Sequence, residues 1–326
     1  MEQGNKMKIR SIIFILIFCV RLVTAGAPAF AGTASEKFSA AVEKIAVDAG
    51  ADIGVAFAGT ATYWQNSSRK YPLLSVFKLH VAAAVLDKAG RENIALDTEL
   101  RIAPEELKED LYSPMLRKYG VRELHLPLRE LLYYMVAESD NNACDILIGW
   151  LGGTENIETY VHRLGLSQTE IKATETEMNR DVMLQYANRA PLSEIIRLLQ
   201  LIDGGKLFAP ELHRELLAIM VKTSTGTDKI KKYLPSSVSV AHKTGSSSRL
   251  SDGRKIADND VAIIKYDGKT YYLAVMVSDS YLSDKENAEK IASIASLVYG
   301  KETSGENPDG ASLAYDTETS GENPGD

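Results

Sequence analysis

The sequence predicts an α+β fold: one antiparallel sheet of about five strands, packed terminal helices, and an all-helical lobe inserted between the strands. Three observations carry this reading. Strand-like segments cluster near residues 52–65 and 237–278, on either side of a stretch, 75–208, that reads only as helix and loop. Helical patterns at 35–49 and 283–299 bracket the whole. The 326 residues are 45% hydrophobic and 25% charged, a balance that can bury a core of that size. A sheet must bury a face against another layer, so strands drawn from both ends of the region pair most economically in one sheet beside the inserted lobe. The cleft between sheet edge and lobe is the expected small-molecule site.

Each element has a local reason. Ser35–Ala49 repeats its apolar residues at helical spacing and stops at Gly50. Asp52–Ala58 and Ala61–Gln65 read as strands around Gly59-Thr60. Val76–Leu86 is apolar on nearly every side, the pattern of a buried central helix. Pro127 opens a helix that reaches Glu138, Gly152-Gly153 end another, and Thr154 caps the next. Past Pro210 a further helix leads into Ser237–Ala241, which alternates like a strand. Val261–Tyr266 and Thr270–Ser278 flank Asp267-Gly268, a strong hairpin signal. Ser283–Tyr299 closes the domain and meets Gly300. The domain is thus expected over 32–300, with its α/β part at 32–73 and 210–300 and its all-α part at 74–209.

The two ends differ from the middle. Lys6, Lys8 and Arg10 precede the apolar run Ile12–Val20, and Ala29-Phe30-Ala31 offers a small-x-small cleavage site. The run is shorter than the roughly 20 apolar residues of a comfortable span, and Cys19 follows Phe18 rather than the small residue of a lipoprotein site. Residues 1–31 are therefore expected to be a signal peptide, with the mature chain exported to the periplasm as a monomer free of the membrane. That chain keeps Cys144 alone, inside an apolar helical pattern, which is packing rather than chemistry. At the other end Glu302–Pro308 recurs as Glu318–Pro324. Polar, acidic and rich in Gly and Pro, residues 301–326 are expected to be a solvated tail.

Composition removes several functions. A net charge of -7 lacks the basic footprint of a nucleic-acid binder, and two cysteines make neither a disulfide scaffold nor a zinc cluster. The five histidines form no metal-binding pair, so no metal and no cofactor is expected. There is no Gly-x-Ser-x-Gly elbow, and Gly268-Lys269-Thr270 lacks the earlier glycine of a phosphate loop.

Ser-x-x-Lys occurs twice. Ser67–Lys70 lies in a polar run before Pro72, where a turn explains it. Ser75-Val76-Phe77-Lys78 instead opens the most apolar helix of the chain. Three residues apart on a helix, the side chains share a face, so Lys78 can reach Ser75 Oγ. The helix N-terminus favours negative charge at the serine, and a lysine in so apolar a setting needs a partner. Ser139-Asp140-Asn141 falls at a helix junction, where turn chemistry alone could choose it. Lys243-Thr244-Gly245 ends an alternating strand. Each is weak singly. In this order they form the set of class A β-lactamases and penicillin-binding proteins.

The chain resembles a class A serine β-lactamase over essentially all of residues 35–300, and a β-lactamase/transpeptidase-like fold is implied. Glu175-Thr176-Glu177-Met178-Asn179 adds a fourth element, similar to the family's Glu-x-x-x-Asn on the Ω loop. The resemblance implies that Ser75 opens the lactam of a penicillin or cephalosporin and becomes acylated. Lys78, or Glu175 through a water, serves as the base for acylation, and Glu175 then activates the water that hydrolyses the ester. Ser139, assisted by Lys243, passes a proton to the lactam nitrogen. Asn141 bonds the substrate's side-chain amide, Thr244 and Lys243 hold its carboxylate, and Gly245 and Asn179 complete the binding set. The N–H groups of Ser75 and Ser246 form the oxyanion hole, and Tyr112 lines the entrance.

Departures from the pattern narrow the type. Asp145 stands where most of the family has Asn, and Ala173 replaces an Arg that pins the Ω loop by an ion pair. Lys229 occupies a place where relatives carry a carboxylate-binding Arg. With Ala241-His242 before the Lys-Thr-Gly, these features resemble the cephalosporinase-leaning, extended-spectrum branch. Two alternatives compete with this reading: a penicillin-binding DD-peptidase or transpeptidase, which shares three of the four elements, and a β-lactam sensor domain that acylates without turnover and normally rides on a membrane receptor. Glu175 argues against both, because neither needs a carboxylate to drive water onto the ester.

Overall fold

The computed structural model describes residues 34–47 and 50–303. The expected signal segment 1–31, the end of the first helix and residues 304–326 lie outside the described residues. Helix α1 (Ala34–Ala46) leads to β1 (Asp52–Ala58) and β2 (Thr62–Gln65), which pair antiparallel. After β3 (Lys70–Pro72) a short turn, Leu74–Phe77, opens α2 (Lys78–Arg91). β4 (Glu99–Ile102), α3 (Pro114–Tyr119) and β5 (Leu124–Pro127) form a small hairpin-like flap. Then come α4 (Leu128–Ala137), α5 (Asn141–Leu151), α6 (Thr154–Arg163) and α7 (Glu175–Arg180). β6 (Arg189–Pro191) pairs with β3 ahead of α8 (Leu192–Asp203) and α9 (Pro210–Val221). The chain closes with β7 (Ser239–Ser246), β8 (Lys255–Tyr266), β9 (Lys269–Ser280) and α10 (Asp284–Thr303).

The main sheet runs β2-β1-β9-β8-β7, antiparallel throughout, five strands drawn from both ends as expected. Asp267 and Gly268 turn β8 into β9 with φ of 49° and 71°, the paired positive values of a tight hairpin turn. On one face Ile53, Val55, Phe57, Val275 and Val277 bury against Phe38 and Val42 of α1 and Ile291, Ile294 and Val298 of α10. On the other, Ala56, Ala274 and Met276 join the core of the helical lobe, whose centre is the fully buried α2. A small residue on this face lets β3 approach: a Cβ on Gly54 would lie 2.4 Å from the Tyr71 ring. α8 lies within the stretch assigned to the helical lobe, yet it packs on β1, β8 and β9, so the sheet and the lobe share it.

Local signals mislead at three places. Thr154 begins α6 without capping it; Gly153 holds the cap position. β8 starts six residues earlier than its apolar pattern, because buried Asp258, Asn259 and Asp260 are all partnered within the fold. Gly300 does not stop α10. A glycine inside a helix costs only about 1 kcal/mol, and the following turn is anchored: Glu302, 4% exposed, accepts hydrogen bonds from Thr60 N (3.1 Å) and Thr60 Oγ1 (2.6 Å). Helix α10 therefore continues through Thr303, past the expected domain end at 300. Deleting residues 304–326 is expected to leave the melting temperature unchanged, whereas Glu302→Ala should cost about 0.5–1.5 kcal/mol of stability by removing its bonds to exposed Thr60. Thermal denaturation of both variants checks this, and a tail deletion that melts early would count against it.

Candidate active site

The nucleophile candidate sits on strained backbone. Leu74 has φ of 45°, a left-handed value that costs a bulky residue about 1–3 kcal/mol and persists only where surroundings enforce it. They do: Leu73 N donates to Asn188 O (2.8 Å), and Asn259 Nδ2 donates to Pro72 O (2.8 Å) and Leu73 O (3.2 Å). Ser75 is thus placed on a short turn ahead of α2, not on the helix proper, with Lys78 as the first residue of α2. On the opposite wall, β7 comes against this turn because Gly245 has no side chain. A Cβ there would lie 2.4 Å from Leu73 O. Ser246 is thereby brought beside Ser75, and both line one cavity.

Lys78, fully buried, organises the centre. Its ammonium lies 2.8 Å from Ser75 Oγ, 2.7 Å from Asn141 Oδ1, 3.1 Å from Ser139 O and 2.6 Å from Glu175 Oε1. An ammonium has three hydrogens for these four oxygens. The aligned bonds go to Ser75, Ser139 and Asn141, while Glu175 Oε1 receives a charge contact with no aligned donor among the described residues. Glu175 itself lines the cavity. The sequence pattern Ser-x-x-Lys, Ser-Asp-Asn and Glu-x-x-x-Asn therefore meets at one nitrogen atom.

The second lysine closes the other side. Lys243, fully buried on β7, donates to Ser139 Oγ (2.8 Å) and Thr244 O (2.9 Å). Burial, and then the nearby Lys78 charge, push its ammonium well below the ordinary lysine range. A lysine that holds its proton loosely, bonded to a serine hydroxyl, can hand that proton on. Thr244 Oγ1 pairs with Thr225 Oγ1 at 2.6 Å. Ser139 takes φ of 58° at the α4–α5 junction.

Asp140 has a role that the motif alone hides. It caps α5 through Ala143 N (2.9 Å) and accepts from Ser113 Oγ and Met115 N, both at 2.7 Å. Burial raises its pKa while these bonds pull it down. It thereby binds the segment carrying Tyr112, which is half exposed at the cavity mouth with the Arg117 guanidinium 5.1 Å from its ring centre. Cys144 is fully buried, its thiol pushed well up by burial, in keeping with a packing role.

Glu175 begins α7, and the two departures of the Ω loop find their compensation here. Asp145 accepts from Glu175 N and Thr176 N, each 2.8 Å, and from Thr176 Oγ1 at 2.6 Å. Both of its oxygens are used, which an Asn amide could not match. Where an ion pair at Ala173 is missing, buried Asn188 accepts from Lys172 N (2.7 Å) and Ala173 N (2.9 Å) and donates to Ala173 O (2.8 Å). Asn188→Ala is expected to cost about 2–4 kcal/mol in denaturant unfolding, the sum of three such bonds. Unchanged stability would mean that the loop is held elsewhere.

A cavity of about 370 Å³ is lined by Ser75, Tyr112, Asn141, Glu175, Asn179 and Ser246, six of the residues expected from sequence, with Lys78, Ser139, Lys243, Thr244 and Gly245 behind them. Asn179 is exposed at the rim and donates to Asp110 Oδ2 (2.8 Å), a residue that the sequence reading did not single out. No motif marks Asp110; only its place two residues before Tyr112 could have drawn attention. Among the expected binders Thr244, Gly245 and Lys229 do not line the cavity, and Lys229 has a partner of its own. It is buried to 6% exposure and ion-paired to Asp258 at 2.5 Å. No group of His, Cys, Asp and Glu that could hold a metal occurs among the described residues.

Comparison with known proteins gives a consistent result. The sequence model of the family described as "Beta-lactamase enzyme family" matches residues 37–301. A "Beta-lactamase" of Bacteroides uniformis is 43% identical over 72% of this chain and 80% of its own length. "Extended-spectrum beta-lactamase PER-1" of Pseudomonas aeruginosa is 32% identical, over 79% of this chain and 85% of that protein. Among solved structures, a class A beta-lactamase from Bacteroides cellulosilyticus superposes with a TM-score of 0.79 at 41% identity, covering 82% of this chain and 98% of the other. The TLA-1 extended spectrum beta-lactamase superposes with a TM-score of 0.80 at 36% identity, over 82% and 98% of the two chains.

Proposed function

This chain belongs to the class A β-lactamase family, and from that premise we propose that it hydrolyses penicillins and cephalosporins through an acyl-enzyme on Ser75. The observation that carries the reading is the single ammonium of Lys78, held 2.8 Å from Ser75 Oγ and 2.6 Å from Glu175 Oε1. Nucleophile, base and the carboxylate for deacylation thus share one buried charge.

The geometry supports the following steps. Ser75 Oγ gives up its proton toward Lys78 or, through a water, toward Glu175, and attacks the lactam carbonyl. The N–H groups of Ser75 and Ser246 stabilise the developing oxyanion; removing one such donor commonly costs about 10²–10³ in rate. Ser139, fed by Lys243, protonates the departing nitrogen. Glu175 then deprotonates the water that releases the product. Asn141, Thr244 and Gly245 border the substrate, Tyr112 walls the entrance, and Asn179 completes the binding set at the rim.

The cephalosporinase-leaning, extended-spectrum character remains our reading, supported by the Asp145 and Asn188 fastening of the Ω loop and by similarity to proteins bearing that description. Residues 1–31 act as an export signal, the mature enzyme works as a monomer in the periplasm, and its activity confers resistance. No helix among the described residues is long and apolar enough to cross a membrane.

Turnover of a chromogenic cephalosporin by purified protein tests the reading. Many turnovers per enzyme are expected; a single stoichiometric burst would assign the chain to a DD-peptidase or a sensor instead.

A further inference from the structure

We propose that Asp258 sets how the site reads the carboxylate of its substrate, by keeping the Lys229 charge and the Ser246 hydroxyl proton for itself. The inference rests on hydrolysis at Ser75 and concerns the subsite beside it.

The geometry is closed on every side. Lys229 Nζ lies 2.5 Å from Asp258 Oδ1, 3.3 Å from Asn259 O and 3.4 Å from Ser246 Oγ. Three oxygens occupy the three N–H bonds that an ammonium has. Ser246 Oγ donates to the same Asp258 Oδ1 at 2.6 Å, so its one proton is committed. With one of its two lone pairs accepting from Lys229, that hydroxyl has only the other left over, which repels a carboxylate rather than binds it. The other oxygen, Asp258 Oδ2, lies 3.0 Å from Lys255 Nζ, and Lys255 in turn reaches Asp284 Oδ1 at 3.1 Å. Two buried lysines are thus balanced by two acids, with Asp258 at the middle.

The position gives this cluster a functional reach. Asp258 stands directly opposite Ser246 in the β7–β8 register, one pair beyond Gly245 and Asn259. A 2% exposed carboxylate there cancels, in a low dielectric, the Lys229 charge that lies beside Ser246. An ion cluster that merely fastened β8 to the 226–230 turn would influence every substrate alike. The pairing discriminates through what it cancels: held by Asp258, the Lys229 cation is not available to an anionic substrate, whereas a neutral substrate is unaffected either way.

Asp258→Asn in the full-length protein tests this, with KM and kcat measured for a chromogenic cephalosporin and for its neutral carboxylate methyl ester. Wild-type turnover is measured first, and its absence would overturn the hydrolase reading itself. Given turnover, the variant is expected to lower KM for the acid about tenfold, with KM for the ester unmoved and kcat nearly constant. Adding Lys229→Met should cancel the gain, because the released cation supplies it. An acid KM that is unchanged or raised, or acid and ester values that move together, would overturn the role of Asp258 alone. If the isosteric variant does not fold, Asp258→Thr, also uncharged, is expected to give the same split between acid and ester.

Discussion

Replacing Ser75 by alanine is expected to abolish covalent capture of a penicillin and to lower hydrolysis by about 10⁶-fold, the scale seen when a serine hydrolase loses its nucleophile. The fold should survive. Ser75 Oγ is only one of four oxygens around Lys78, and the ammonium keeps Ser139 O, Asn141 Oδ1 and Glu175 Oε1 when it goes. No buried charge is left unpaired, which is the usual route to a large loss of stability. The Leu74 turn is held by Asn188 and Asn259 through backbone atoms that the substitution does not touch. Intact-mass spectrometry after incubation with a penicillin reads the result directly. An acyl adduct on Ser75→Ala would move the nucleophile to another residue.

Glu175→Gln is expected to leave acylation and slow deacylation by about 10²–10⁴-fold, the ordinary worth of a general base. The side chain keeps its shape. Its backbone N–H, bonded to Asp145 Oδ1 at 2.8 Å, still anchors the start of α7. Lys78 loses a charge contact but keeps its three aligned hydrogen bonds. Rapid mixing with a penicillin should then give a burst followed by a nearly flat phase, with the acyl-enzyme accumulating by mass. Deacylation at the unmodified rate would show that another group activates the water. A Glu175 that only capped a short helix would leave no trapped intermediate.

The strongest sequence signals were those with short-range causes. Asp267-Gly268 forces a tight turn whatever surrounds it, and the apolar run after Ser75 has to be buried; both appear where the pattern puts them. The Ser-x-x-Lys, Ser-Asp-Asn and Lys-Thr-Gly elements were legible because their chemistry fixes residue type and order. Their meeting was not. Lys78 reaches Asn141 across 63 positions and Lys243 reaches Ser139 across 104, distances over which no local periodicity acts.

Where the reading fell short, a distant partner had overridden a local preference. Lys255-Ile256-Ala257-Asp258-Asn259-Asp260 looks too polar for the middle of a sheet. It is strand because Asn259 bonds the turn below Ser75 and Asp260 pairs with buried His242 at 2.9 Å. Gly300 should end a helix, yet Glu302 pins the next turn to Thr60, 242 residues away. Lys229 reads in sequence as a cation for the substrate, and the fold pairs it with Asp258, 29 residues away. By itself, then, the sequence determined the α+β pattern, the sheet drawn from both ends and the residue types of the reaction, since hydrophobic spacing, turn chemistry and nucleophile chemistry are written locally. Only the tertiary structure decided which buried charges face the cavity and which neutralise each other. That choice depends on distances and desolvation among groups far apart in the chain, and a buried charge takes whichever partner the packing brings closest.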